Sequence, residues 1–287
     1  MNLLSGLLVL ACASASVGLA QRTAPTAAPQ PEGPAKPTPR TPDGKPDLSG
    51  FWQFRNDGSK PEPLQLTTWG LDKFKWNNGP ESAAAAGVYA GQLTRVEYDP
   101  VMNCYPAGLP RLGPPPDVEK NLSQTALVTS NFVQVFQAPE KVTMLYEFRH
   151  EMRFIYTDGR QHPENVEATW MGHSIGKWEG DTLVVDTIGL RNEAWIDNIG
   201  HEFSDRLHIE ERYRRSDERT LEVERTLTDP IALVKPNTRR GIFRPANRDF
   251  NELTLNDCST YQLRKPAFGE GTNGLLGISE QPASGKY

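Results

Sequence analysis

Residues 206–227 read RLHIEERYRRSDERTLEVERTL. Leu207, Ile209 and Tyr213 alternate with Arg206, His208, Glu210 and Arg212. Ser216-Asp217-Glu218 interrupts the alternation, which resumes in Leu221, Val223 and Leu227. A period of two is that of a β-strand, whose successive side chains point to opposite faces. A helix would bring its apolar residues back every three or four positions instead. Two such runs joined by a short polar turn predict an antiparallel hairpin. Its solvent face carries Arg206, His208, Glu210 and Arg212, set against Glu222, Glu224 and Thr226 as cross-strand ion pairs.

The same signature extends upstream. Phe132 to Gln137 forms one run. Val142, Met144, Tyr146 and Phe148 alternate with Thr143, Leu145, Glu147 and Arg149, and Met152, Phe154 and Tyr156 with Arg153, Ile155 and Thr157. Asp158-Gly159 then reads as a tight turn. Ser174 to Trp178 and Thr182 to Ile188 flank Glu179-Gly180-Asp181 as a further hairpin. The gaps are too short for helical crossovers, so the expectation is an antiparallel meander. Gly50-Phe51-Trp52 is similar to the Gly-x-Trp that opens lipocalin barrels, and Gly176-Lys177-Trp178 matches it too. A long meander removes its edges by closing. The predicted fold is therefore mainly β, a lipocalin-like barrel with a β-sandwich as the alternative. It fills a single domain, 47–287, with its strands in about 131–256 and an irregular N-terminal part. In that part Trp69, Phe74 and Trp76 stand among polar residues. Glu81 to Ala90 reads as a short helix, and the Pro- and Gly-rich residues 99–117 as an irregular loop.

The chain has 287 residues and a net charge of −5, from 31 basic and 36 acidic side chains. That balance argues against a nucleic-acid partner. No apolar run reaches the roughly 18 residues of a membrane span. Residues 2–20, NLLSGLLVLACASASVGLA, read as a secretory signal cut after Ala20. The address is then secreted or periplasmic. Alternatively, Val9-Leu10-Ala11-Cys12 acts as a lipoprotein box and anchors the chain through Cys12. Eight prolines between 21 and 46 predict an extended, disordered linker. Cys104 and Cys258 remain after cleavage and are expected to form a disulfide in an oxidising compartment. Such a long loop allows roughly 4–5 kcal/mol in the chain-entropy model. The rival reading, a catalytic thiol, lacks a nearby base at Cys104.

All five histidines, His150, His162, His173, His201 and His208, fall within 150–208, together with Trp170, Trp178 and Trp195. Histidine trades protons near neutral pH, so this segment is where chemistry is expected. In TDGRQHPE, 157–164, Arg160 reads as an anion binder and His162 as an acid or base oriented by Asp158 or Glu164. His173 is the second acid–base candidate. Trp170, Trp178, Trp195 and His201 are candidate ligand contacts, with core packing as the bland alternative for the tryptophans. Gly172 and Gly176 let backbone pass close to a ligand or a neighbouring strand. No His-Glu-x-x-His, P-loop or Gly-x-Gly-x-x-Gly is present, so no cofactor is expected. A metal held by His162, His173 and His201 with Glu164 or Asp197 is the one exception the spacing allows. No Gly-x-Ser-x-Gly elbow supports a serine hydrolase.

Three stretches, Arg40–Trp52 (RTPDGKPDLSGFW), Ile155–Pro163 (IYTDGRQHP) and Gly172–Thr187 (GHSIGKWEGDTLVVDT), resemble motifs of a large, mostly uncharacterised group of exported bacterial proteins. The resemblance runs from about Arg40 to Pro236 and implies export but no particular activity. That group's Gly-His-Pro-His-Ser stands here as Gly200-His201-Glu202-Phe203-Ser204, without the second histidine. Its Cys-His-Glu run near the end is replaced by Cys258-Ser259-Thr260. Three functions fit the sequence. The first is an exported barrel binding a small, partly apolar molecule. The second is an exported hydrolase, lyase or isomerase working by histidine acid–base chemistry, cofactor-free or metal-assisted. The third is a surface module tethered by the proline-rich arm.

Overall fold

A computed structural model describes residues 33–55, 57–59, 62–78, 99–103, 105–112, 132–197 and 199–246. The chain divides into two compact units, Met1–Pro34 and Ala35–Tyr287, and only Gly33 and Pro34 of the first are described. Cys12, Cys104, Cys258 and the expected helix at 81–90 lie outside the described residues.

Among the described residues there are nine strands: β1 (Gly50–Arg55), β2 (Phe132–Ala138), β3 (Lys141–Tyr146), β4 (Met152–Tyr156), β5 (His173–Glu179), β6 (Thr182–Ile188), β7 (His208–Asp217), β8 (Thr220–Thr228) and β9 (Asn237–Pro245). They close in chain order into a barrel, mainly β and of lipocalin-like type, with β9 paired back onto β1. The sandwich alternative falls away. One expectation is corrected. Eight pairings are antiparallel, but β4 and β5 run parallel. Strand directions that alternate around a ring need an even number of strands, so nine strands force one parallel seam. The Asp158-Gly159 turn accordingly starts no hairpin. It opens residues 157–172, which return along the outside of the barrel with no helix of their own.

The pairing gives the barrel two unlike ends. Tight turns at 139–140, 180–181 and 218–219 close one end, and residues 35–46 are fastened there. Arg40 pairs with Asp181 at 2.7 Å, and Thr38 Oγ1 donates to the Arg215 carbonyl. This part of the predicted linker is thus a strap, not free chain. The longer segments 147–151, 189–207 and 229–236 cover the other end, here called the loop end. Asp229 ties two of them together, accepting from the Ser204 amide at 2.6 Å and its hydroxyl at 2.8 Å.

A helix that the sequence reading did not find, α1 (Thr68–Asn78), lies over the same end. Thr67 caps it by accepting from the Gly70 amide. Asn77 and Asn78 donate to the carbonyls of Gly200 and Ile199. The irregular segment expected at 99–117 packs into the barrel where it is described. Ala107 and Leu109 are fully buried, and Leu109–Arg111 makes a 3₁₀ turn.

Inward positions divide by chemistry. Trp52, Val135, Val142, Ile155, Leu183, Leu221 and Phe243 are buried as a conventional apolar core. Arg153, Ser174, Thr187, Glu211, Tyr213, Arg225 and Arg239 are just as deeply buried. Gly241 is inward too, because a Cβ there would lie 2.3 Å from the Phe54 ring that fills its place. The outward face of β7 and β8 is as expected. Arg212 stands opposite Glu224 and Arg214 opposite Glu222, the latter pair at 3.2 Å.

Candidate functional site

Inside the barrel, Glu211 of β7 faces Arg225 of β8, which faces Arg239 of β9. Glu211 Oε1 accepts from Arg225 Nε at 2.9 Å and Nη2 at 2.6 Å, and from the Tyr213 hydroxyl at 2.9 Å. Its Oε2 stands in ion-pair contact with Arg153 Nη2. Arg153 also donates to Ser174 Oγ at 3.1 Å and Thr187 Oγ1 at 2.9 Å. Burial alone would push the Glu211 carboxyl up, but Arg153 and Arg225 overcome it and hold it at about 2. Burial likewise pushes the Tyr146 hydroxyl above its ordinary value and the Tyr213 hydroxyl well above it.

Arg239 is different. Its Nε donates to Asn237 Oδ1 at 2.9 Å, yet among the described residues neither terminal nitrogen has a hydrogen-bond partner, and the residue is 1% exposed. Desolvation pulls its pKa down to about 10, against the attraction of Asp197. Asp197 has partners on both of its oxygens. Its Oδ1 accepts from the Ile199 and His201 amides, and its Oδ2 faces His201 Nδ1 at 2.5 Å.

The second assembly is on the outer surface near the loop end. His162, on the returning segment 157–172, meets His173 of β5 with Nδ1 to Nδ1 at 2.8 Å. One of these nitrogens must carry the proton and the other accept it. His162 Nε2 is buried without a hydrogen bond, 3.5 Å from Asp186 Oδ1. That same oxygen holds His208 Nε2 at 2.7 Å. His173 is shifted down by desolvation, then by the fields of His162 and Arg160; His208 is shifted up by its hydrogen bond to Asp186. Tyr156 stacks on His173, and Arg160 lies 3.8 Å above the Tyr156 ring.

Of the candidates, then, His162 and His173 come together. Asp158 does not orient either of them: it is clamped by Arg160, at 2.6 Å from Nη2. Glu164 is exposed. Trp170 lies under Arg191 and edge-on to Tyr105; Trp178 packs against the core beneath Lys45. Trp195 is buried within the 189–207 loop, bridged to Glu202. His201 is committed to Asp197 and stacks on Phe74 at 4.4 Å. Gly172 meets a strand and not a ligand, since a Cβ there would be 2.8 Å from the Ile188 carbonyl.

The sequence reading missed Asp186 and the buried charges Arg153, Glu211, Arg225 and Arg239. A charge at an inward register position of an otherwise regular strand was the available signal. Among the described residues no group of three or more His, Cys, Asp or Glu side chains is set to hold a metal ion, and no helix is long and apolar enough to cross a membrane. No protein-family model matches the chain, and no curated protein matches it.

Proposed function

We propose that the barrel is an exported binding protein for a small, partly apolar molecule, received inside the loop end. One observation carries this reading: an interior that is apolar on one part of its wall and lined by Arg153, Glu211, Tyr213, Arg225 and Arg239 on another. Stability alone does not favour such a wall, because buried ions are often matched or surpassed by apolar residues of similar volume. Departures of this kind concentrate at functional sites. Export rests on the signal-like residues 1–20, with anchoring through Cys12 as the alternative address.

The test is saturable binding of the fluorescent apolar anion 1-anilinonaphthalene-8-sulfonate to the native protein, with native mass spectrometry of protein taken from its own compartment. One bound probe per chain, displaced by a co-purifying small molecule, is the expected result. No saturable binding and no extra mass would overturn the reading.

A second reading has one specific observation in its favour, the 2.8 Å contact between His162 and His173 beside Asp186. That pair would pass a proton to or from a substrate lying on the outer face. Were it so, His173→Ala would abolish turnover while the melting temperature stayed within a few degrees. A rate profile without an inflection between about pH 5 and 8 would count against it.

A further inference from the structure

We infer that Arg239 is the receptor for a carboxylate, so that the molecule taken up by the barrel is a small carboxylic acid with an apolar body. The inference rests on the binding reading above and names the chemistry of the ligand. Arg239 projects inward from β9, two residues from the strand's start at Asn237. Asn237 fixes the guanidinium through Nε and leaves both terminal nitrogens unpartnered. Buried donors are normally satisfied, and a buried charge is normally paired.

Asp197 attracts the guanidinium through space, but no nearby carboxylate among the described residues accepts a hydrogen bond from its terminal nitrogens. Glu211 is shared between Arg153 and Arg225. Asp197 spends both oxygens on His201 and on backbone amides. The residue directly opposite is Arg225, a like charge that raises the demand for an anion. Two free guanidinium nitrogens in one plane match the two oxygens of a carboxylate as a fork. Apolar surface adjoins it on one side, where Leu227 stands opposite Asn237 and diagonal to Arg239. Such a wall favours a singly charged carboxylate over a doubly charged phosphate, whose desolvation costs more.

The experiment compares octanoate, octanol and inorganic phosphate by calorimetric titration against the full chain, Arg239→Met and Arg239→Lys. Wild type should bind octanoate at least about tenfold more tightly than octanol or phosphate. Arg239→Met should lose that preference and keep its octanol affinity. Arg239→Lys, which keeps the charge but not the fork, should fall between them. Ligand-free Arg239→Met should melt no lower than wild type, since two buried donors without hydrogen bonds have gone.

Octanoate and octanol binding alike, with no effect of either variant, would overturn the carboxylate assignment and leave the binding reading standing. Tighter binding of phosphate would overturn it in favour of a phosphate ester. A fall of more than about 5 °C in ligand-free Arg239→Met would mean that the guanidinium already has an internal counter-charge, and would also overturn it. If neither probe nor 1-anilinonaphthalene-8-sulfonate binds, the binding reading itself fails. Should Arg239→Met not fold, the octanoate–octanol comparison on wild type and Arg239→Lys makes the same decision.

Discussion

Two buried arginines and a buried tyrosine converge on the carboxylate of Glu211. Glu211→Gln would leave Arg153 and Arg225 without their common counter-ion. The expected loss is about 3–5 kcal/mol, read as a lower denaturant midpoint at an unchanged slope. A loss below about 1 kcal/mol would mean that water or another group already screens the pair. The pH dependence has a definite sign. A carboxyl held at about 2 in the fold and at 4.5 when unfolded contributes stability that is complete above 4.5 and is lost as the pH falls toward 2. Acid unfolding should therefore begin below about pH 4.5 and be blunted in Glu211→Gln. At this scale the sequence was half legible. Arg212 and Glu224 fall on the outward face by simple alternation, as they do in the structure. β7 carries charge on both faces, Glu210 and Arg212 outward and Glu211 inward, so alternation does not mark Glu211 as buried. Periodicity assigns faces from apolar residues and treats every charge as solvated. What reverses that for Glu211 is Arg225, fourteen residues on by sequence but opposite by register.

The element least legible was the returning segment 157–172. Strand runs were readable because each has its own alternation. The parallel seam was not, because it follows from the parity of the closed ring and not from any local signal. A parallel connection usually carries a helix, and here it is irregular backbone held by a few contacts. Two of those contacts are testable. Gly172 sits at a φ of 67°, with the Ile188 carbonyl 2.8 Å from where a Cβ would be. Gly172→Ala should cost more than about 1 kcal/mol, measured by thermal unfolding, whereas a neutral result would show that the seam can shift. His162 and His173 make the other contact, and it survives only while one of the two facing nitrogens is unprotonated. His173 has a lowered pKa, so its contribution is present above 6.5 and lost as the pH falls through the lowered value. His208 has a raised pKa, so its contribution is present below 6.5 and lost as the pH rises through the raised value. Amide exchange in 165–171 should quicken as the pH drops from 7 to 5, after correction for the intrinsic rate. In His173→Asn, which keeps an acceptor but does not titrate, that extra quickening should vanish. Identical profiles for the two proteins would show that the histidine pair does not hold the segment.

For the molecule as a whole, the decisive pairing is the one between its most distant strands, β1 and β9, where Trp52 meets Pro245 and Phe54 meets Phe243. Phe54 and Phe243 also pack edge to face at 5.3 Å. No ladder can close on these residues until the strands between them are in register, so folding should be slow, in the millisecond-to-second range of proteins dominated by long-range contacts. The two ends of the chain should then respond very differently to truncation. Starting the chain at Asp47 removes the strap at 35–46, whose ion pair between Arg40 and Asp181 is solvent-exposed. Exposed pairs of this kind are worth about 0–1 kcal/mol each. The truncated barrel should keep its far-ultraviolet circular dichroism and melt within about 5 °C of the full chain. Ending the chain at Pro236 instead removes β9, which leaves β8 and β1 both with open edges and takes Arg239, Gly241 and Phe243 out of the interior. An opened sheet of this length pairs with copies of itself, so this variant should lose its cooperative melt and elute as aggregate. A chain ending at Ala246, which retains β9, is the control for simple shortening. If the chain ending at Pro236 stayed monomeric and melted sharply, the closure of β9 on β1 would not be what holds the barrel together.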